Sequence, residues 1–172
     1  MIFTFYPDLP AEIGESEVIS GEAPFHFSRS EYLVVRDNEG KRAFKIIYGG
    51  HCSPFREAII IENLLLVGHE EHFYLYDLNA KKSLLILEMN GYFGHLYIDN
   101  EHFFVADAEG LFCIDRIGNI VWHSKNLGID GVIIEKFTDN QIYGSGEWDP
   151  PSGWKNFVLD KRTGKSLTAH FG

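Results

Sequence analysis

The sequence predicts an all-β chain, built of short antiparallel sheets that recur about every forty residues. An aromatic or aliphatic triplet ending in Asp occurs three times, as YLYD at Tyr74–Asp77, FCID at Phe112–Asp115 and FVLD at Phe157–Asp160. A turn Asn precedes each copy, at Asn63, Asn100 and Asn140, with Asn-to-Asp separations of 14, 15 and 20 residues, and the anchor Asp residues lie 38 and 45 apart. No window longer than about ten residues keeps a helical period without a glycine or turn break, so helix is expected to be minor. A period near forty residues belongs to stacked-sheet architectures. The extra length of the third copy falls in GEWDPPSGW, Gly146–Trp154.

In chain order, the first strand is expected at Ile2–Tyr6, ended by Pro7 and Pro10, which cannot continue a central ladder. Ala11–Pro24 is acidic and rich in small residues and reads as loop or a short edge element. Phe25–Phe27 and Tyr32–Arg36 are strand-like, and the turn DNEGK at Asp37–Lys41 leads into Ala43–Tyr48, a hairpin favoured because Asn and Gly accept tight-turn backbone angles. After GGHCSP, a first unit of four strands follows at Ala58–Ile61, Leu64–Val67, Phe73–Tyr76 and Leu84–Leu87, with Gly68–Glu71 as a loop. The second unit is Gly94–Ile98, Phe103–Ala106, Leu111–Ile114 and Ile120–Trp122. The third is Val132–Glu135, Gln141–Gly144, Asn156–Leu159 and Ser166–His170. Four antiparallel strands per unit is the composition of a propeller blade. The expectation is one domain over 1–172, with an irregular N-terminal cap or sheet over about 1–50 and blade-like repeats over about 57–90, 94–125 and 131–170, in a partial or miniature β-propeller-like arrangement.

Composition narrows the functional classes. The 172 residues are 45% apolar, with fourteen Phe and eight Tyr, which supplies a core and argues against intrinsic disorder. Acids outnumber Lys and Arg by 25 to 15, and the resulting charge of −10 repels phosphate backbones, so direct nucleic-acid binding is not expected and a basic partner is favoured. Met1–Gly40 carries eight acids against Arg29 and Arg36 alone. No basic segment followed by a long apolar stretch opens the sequence, and no apolar run approaches a membrane span, so the expected location is the cytoplasm. Cys52 lies in a loop signal and Cys113 in a strand, and a reduced pair is the simpler reading.

The segment NFVLDKRTGK, Asn156–Lys165, resembles the closing turn of the quinoprotein-type, or pyrroloquinoline-quinone-like, β-propeller repeat, matched at Asp160, Thr163, Gly164 and Lys165. In that family a Trp commonly follows the turn and docks against a neighbouring blade. In CIDRIGNIVW the corresponding residues are Asp115, Gly118 and Trp122, whereas DLNAKKSL at Asp77–Leu84 keeps only the Asp. The likeness covers about Ala58 to Leu167 and implies fold rather than a cofactor; none is expected.

Catalytic patterns are sparse. His69 and His72 flank Glu70 and Glu71, residue types that bind zinc, but the spacing is not that of a helical H-E-x-x-H, and in a strand-connecting loop the two imidazoles need not converge. His26, His51, His95, His102, His123 and His170 are scattered singly; His51 with His123 would be an acid–base pair only if the fold joined them. Ser53 lies in no nucleophile elbow, and no phosphate loop is present. The expected working surface is instead the insertion Gly144–Trp154, where Trp148 and Trp154 offer apolar anchors and Glu147 and Asp149 offer charge to a basic partner. Glu70 and Glu71 in the first unit, Asp107 and Glu109 in the second and Glu147 with Asp149 in the third occupy matching turns. If the units stack in register, these residues form one acidic rim with Trp148 as its apolar anchor. In size, acidity and lack of a catalytic constellation the chain is similar to immunity proteins of contact-dependent and related bacterial competition systems. That similarity implies a non-enzymatic inhibitor that covers the active site of a cognate basic toxin, for example a nuclease. A quinoprotein-like repeat scaffold serving another assembly and a histidine-dependent hydrolase are the alternatives.

Overall fold

In a computed structural model, residues 2–20, 29–37, 40–49, 55–151 and 153–167 are described. They form fifteen strands and, among the described residues, no helix. The strands make four sheets. The first joins β1 (Ile2–Tyr6), β2 (Glu17–Val18), β3 (Arg29–Asp37) and β4 (Gly40–Tyr48) in the order β1-β3-β4-β2. The second runs in sequence through β5 (Arg56–Ile61), β6 (Leu64–His69), β7 (His72–Asp77) and β8 (Lys82–Glu88). The third does the same through β9 (Phe93–Asp99), β10 (His102–Asp107), β11 (Leu111–Asp115) and β12 (Ile120–Ser124). The fourth holds β13 (Val132–Phe137), β14 (Gln141–Glu147) and β15 (Trp154–Asp160), and a single bridge from Leu159 to Ser166 stands where a fourth strand was expected. Phe25–Phe27, the DNEGK turn residues Asn38 and Glu39, and the end of the last expected strand lie outside the described residues.

These residues divide into two compact units, and the strands of the second sheet are shared between them. The first unit contains Ala58–Val67 and Tyr74–Ile86 with the N-terminal sheet. Its core sets Leu33, Val35, Phe44 and Ile46 against Leu65, Val67, Tyr74 and Tyr76. The acidic segment before Pro24, expected as loop or a short edge element, contains the edge strand β2. β2 pairs in parallel with β4, Ile19 just beyond it is fully buried in this core, and Glu17 accepts a 2.6 Å hydrogen bond from the Tyr76 hydroxyl.

The second unit contains the third and fourth sheets. Register places Tyr97, Phe104, Cys113 and Trp122 in one row across β9–β12, and this face packs on Val132, Ile134, Ile142, Phe157 and Leu159. Trp122 reaches furthest. Its indole N–H donates to the Lys161 carbonyl at 3.1 Å, and its ring covers Gly164, where an added Cβ would lie 2.5 Å from Cε3. Gly164 has φ +67, so the turn needs glycine for its backbone angle as well as for this contact. Trp122 of the third sheet thus rests on the Asp160–Lys165 turn that follows β15.

The three anchor Asp residues are turn caps. Asp77 Oδ1 accepts the Asn79 and Ala80 N–H groups at 2.8 and 2.9 Å, Asp115 Oδ1 those of Ile117 and Asn119 at 3.0 and 2.8 Å, and Asp160 Oδ1 the Thr163 N–H and hydroxyl at 2.8 and 2.7 Å. The upstream Asn closes the other side: the Asn63 and Asn140 carbonyls accept N–H from Leu78 and Lys161, the residues that follow the first and third anchors. The recurrence is thus a hydrogen-bonding requirement of the hairpin ends.

Candidate protein-binding surface

At the opposite ends of these hairpins lie the three turns expected to carry acidic charge. All belong to the second unit, and two linkers stitch them together. Along Met89–Phe93, the Met89 and Phe93 N–H groups donate to the Glu71 and Glu70 carbonyls at 2.8 and 2.7 Å, and Ala108 N–H donates to Asn90 O at 3.3 Å. Along Leu127–Gly131, the Leu127 and Gly131 N–H groups donate to the Glu109 and Ala108 carbonyls, both at 2.9 Å, while Glu147 N–H donates to Gly131 O at 2.9 Å. The turns at Glu70–Glu71, Asp107–Gly110 and Glu147–Gly153 are therefore linked through these two segments.

Two of the predicted contact residues do not face solvent. Asp107 is wholly buried; its Oδ2 accepts Asn90 N–H at 3.0 Å and its Oδ1 accepts Glu109 and Gly110 N–H at 2.9 and 2.6 Å. Glu70 is 1% exposed and pairs with Arg56 at 2.9 Å. A buried carboxylate is tolerated only when such partners replace water. Glu70 and Asp107 are corrected from partner contacts to the internal clamps of this end. The residues that reach its surface are Glu109, Ile129, Asp130, Asp149 and Trp154, with Glu71, Tyr92, Glu147 and Trp148 partly covered.

The insertion is ordered by its own backbone, Trp148 N–H donating to Gly153 O and Gly153 N–H to Asp149 O, each at 2.8 Å. The Lys155 ammonium sits 5.4 Å from the centre of the Trp148 ring, so this Trp is engaged within the chain. Trp154 is 40% exposed and is the freer anchor.

The fold also assembles a group that no motif announced. Glu57 Oε1 meets His95 Nδ1 at 3.0 Å and Glu57 Oε2 accepts Leu96 N–H at 3.0 Å. Phe55 lies 5.2 Å from the His95 ring and stacks on Tyr92 with centroids 6.1 Å apart. The Tyr92 hydroxyl donates to Asp130 O at 2.6 Å. Burial first, then the charges of Asp130, Glu147 and Asp107, push the Tyr92 phenol up to about 12. Glu57 and His95 are 38 residues apart, as are Tyr92 and Asp130. This equals the first anchor spacing, a long-range coincidence that a search for local motifs passes over.

The remaining sequence candidates scatter. His69 ends β6 and is buried, and His72 opens β7, so the pair lies in strands flanking a two-residue turn rather than in a loop. Burial lowers the His72 imidazole below its ordinary value. His123 stacks on Phe112 with centroids 3.6 Å apart, and burial lowers it also. Cys113 is a buried free thiol pushed up to about 12 by burial. His26, His51, His170, Cys52 and Ser53 lie outside the described residues. Among the described residues no three His, Cys, Asp or Glu side chains converge as a metal site, and no helix is long and apolar enough to cross a membrane. Neither a protein-family model nor a curated protein matches the sequence.

Proposed function

We propose that this chain is an immunity-type inhibitor, a cytoplasmic protein that binds a basic bacterial toxin, such as a nuclease, and occludes its active site. The observation that supports this most is the meeting of three turns at one end of the second unit, where Glu109, Asp130 and Asp149 are exposed and so are Ile129 and Trp154. An apolar anchor inside an acidic rim fits a basic cleft, with the rim steering association and the anchor holding the complex. The sheets β5–β8, β9–β12 and β13–β15 are, in this proposal, blades of quinoprotein-like repeats in a propeller-like arrangement. The Asp-capped hairpin ends and the seat of Trp122 on Gly164 support that part of the reading.

The test is co-expression with candidate basic bacterial toxins, nucleases first, scored by growth, followed by calorimetry with purified partners. Neutralisation with nanomolar affinity, weakened at least tenfold by Glu109→Lys with Asp149→Lys and by Trp154→Ala, is the expected result. Growth arrest that the intact chain does not relieve would overturn the proposal.

A further inference from the structure

We propose that the second unit holds a binding site for a short zwitterionic peptide with an apolar side chain, in a cavity at the Asp-capped ends of its hairpins. The site is built from residues that the inhibitor reading does not use, so neither depends on the other.

The cavity measures about 660 Å³, inside the range of about 300–1,000 Å³ usual for small-molecule sites. Every segment that borders it belongs to the second unit: the Asn100–Glu101 turn with the start of β10, the middle of β11 and β12, and the turns at Asp139–Asn140 and Asp160–Arg162. Lys161 N–H donates to Asn140 O at 2.9 Å and ties the last two turns together. Phe104, Cys113, Val121 and Trp122 give the apolar part of the lining, with Val121 the most open at 48%.

Three charged groups around the cavity already have partners. Glu101 pairs with Arg116 at 3.5 Å, Asp160 caps Thr163, and Lys161 pairs with Asp99 and donates to the Thr138 carbonyl at 3.1 Å. Four polar side chains in the lining make no hydrogen bond or ion pair among the described residues: His102, Asp139, Asn140 and Arg162. His102 shares its face of β10 with Phe104, two residues on, and its ring lies 6.4 Å from the Phe104 ring. Asp139 and Arg162 are exposed and of opposite charge, so the groups left to match are one cation and one anion. A zwitterion supplies both. Its carboxylate accepts from the Arg162 fork, its ammonium donates to Asp139, its peptide group bonds with Asn140 and His102, and its side chain lies on Val121 and Trp122. A simple anion would leave Asp139 unmatched beside it, and an uncharged apolar molecule would strip water from both charges without replacing it.

The probe is the dipeptide Leu-Phe titrated into the intact chain by calorimetry, with its N-acetyl form, its C-terminal amide and Gly-Gly as comparisons. Acetylation and amidation should each weaken binding about tenfold, the loss of one charge-assisted contact, and Gly-Gly should bind too weakly to measure. Two variants at exposed turn positions then assign the contacts. Arg162→Gln should abolish the preference for the free carboxylate over the amide and keep that for the free amine, and Asp139→Asn should do the converse. Val121→Ser should weaken Leu-Phe and leave both preferences in place. Absence of Leu-Phe binding at millimolar concentration, equal binding of the four peptides, or preferences that neither charge variant moves overturns the site. Arg162→Gln and Asp139→Asn should leave toxin neutralisation unchanged, so failure of this site and failure of the inhibitor reading are seen separately.

Discussion

Single residues here have duties that follow from hydrogen-bond accounting. Gly164 must be glycine twice over, so Gly164→Ala should destabilise the chain by about 2–3 kcal/mol, combining backbone strain with a clash against a rigid indole. Urea unfolding measures this, and an unchanged midpoint would contradict the docking of Trp122. The anchor carboxyls carry a pH signature. Hydrogen bonds from Ala80 lower Asp77 and from Thr163 lower Asp160, while at Asp115 burial pushes up but is outweighed by donors from Asn119, Ile117 and Gly118. All three lie below their ordinary 3.8. A depressed folded value stabilises above the unfolded pKa and is lost as pH falls through the folded one. Thermal unfolding should therefore be level from neutrality to about pH 5 with respect to these groups and fall below pH 3.8, and Asp160→Asn should make that fall shallower. The Asp triplets were legible because their role is local; the burial of Asp107 and Glu70 was not, since it depends on linkers from elsewhere in the chain.

At the scale of strands and sheets, the burial pattern repeats what the side chains dictate. LLLV in β6, FYLY in β7, FFVA in β10 and LFCI in β11 are unbroken apolar runs, and each is buried on both faces. VIIEK in β13 and WKN in β15 mix in polar residues, and their sheet keeps one face in solvent, with Ile133 37% exposed. Continuous apolar strands need cover on both sides, whereas a mixed strand can face water. Phe104, 1% exposed and central in its row, should therefore cost about 3–5 kcal/mol when replaced by Ala, against about 0.5 kcal/mol or less for Ile133→Thr. Chemical denaturation of the two variants side by side decides this, and equal losses would mean that the assignment of faces is wrong. Strand positions were readable to within a few residues from such runs. The position and parallel direction of the short edge strand β2 were not, because two residues carry no periodicity, and its place is set by Glu17 with Tyr76 and by Ile19 in the core.

For the whole molecule, the relevant quantity is a charge of −10, together with an end of the second unit where acidic and apolar side chains are both exposed. Long-range attraction to a basic partner acts on encounter and is screened within about 10 Å at 0.1 M salt. In the inhibitor reading proposed above, the association rate with a basic toxin should thus fall about tenfold or more between low and moderate salt, while dissociation changes little. Stopped-flow fluorescence separates the two, and a salt-insensitive association rate would show that the acidic rim does not steer binding. Trp154→Ala should do the reverse and act mainly on dissociation.

The sequence by itself determined the all-β class, the order and approximate bounds of the strands and the recurrence of the Asp-ended turns. All of these rest on local backbone chemistry or on apolar periodicity, which neighbouring residues in the chain express directly. Tertiary structure alone decided which carboxylates face water and which hold the turns together, for Glu70 and Glu71, like Asp107 and Glu109, are the same chemistry one or two positions apart. It also decided that Phe55, Glu57, Tyr92, His95 and Trp154 share one end of a unit, because proximity across a repeat of nearly forty residues is set by the packing of sheets and not by any bond along the chain.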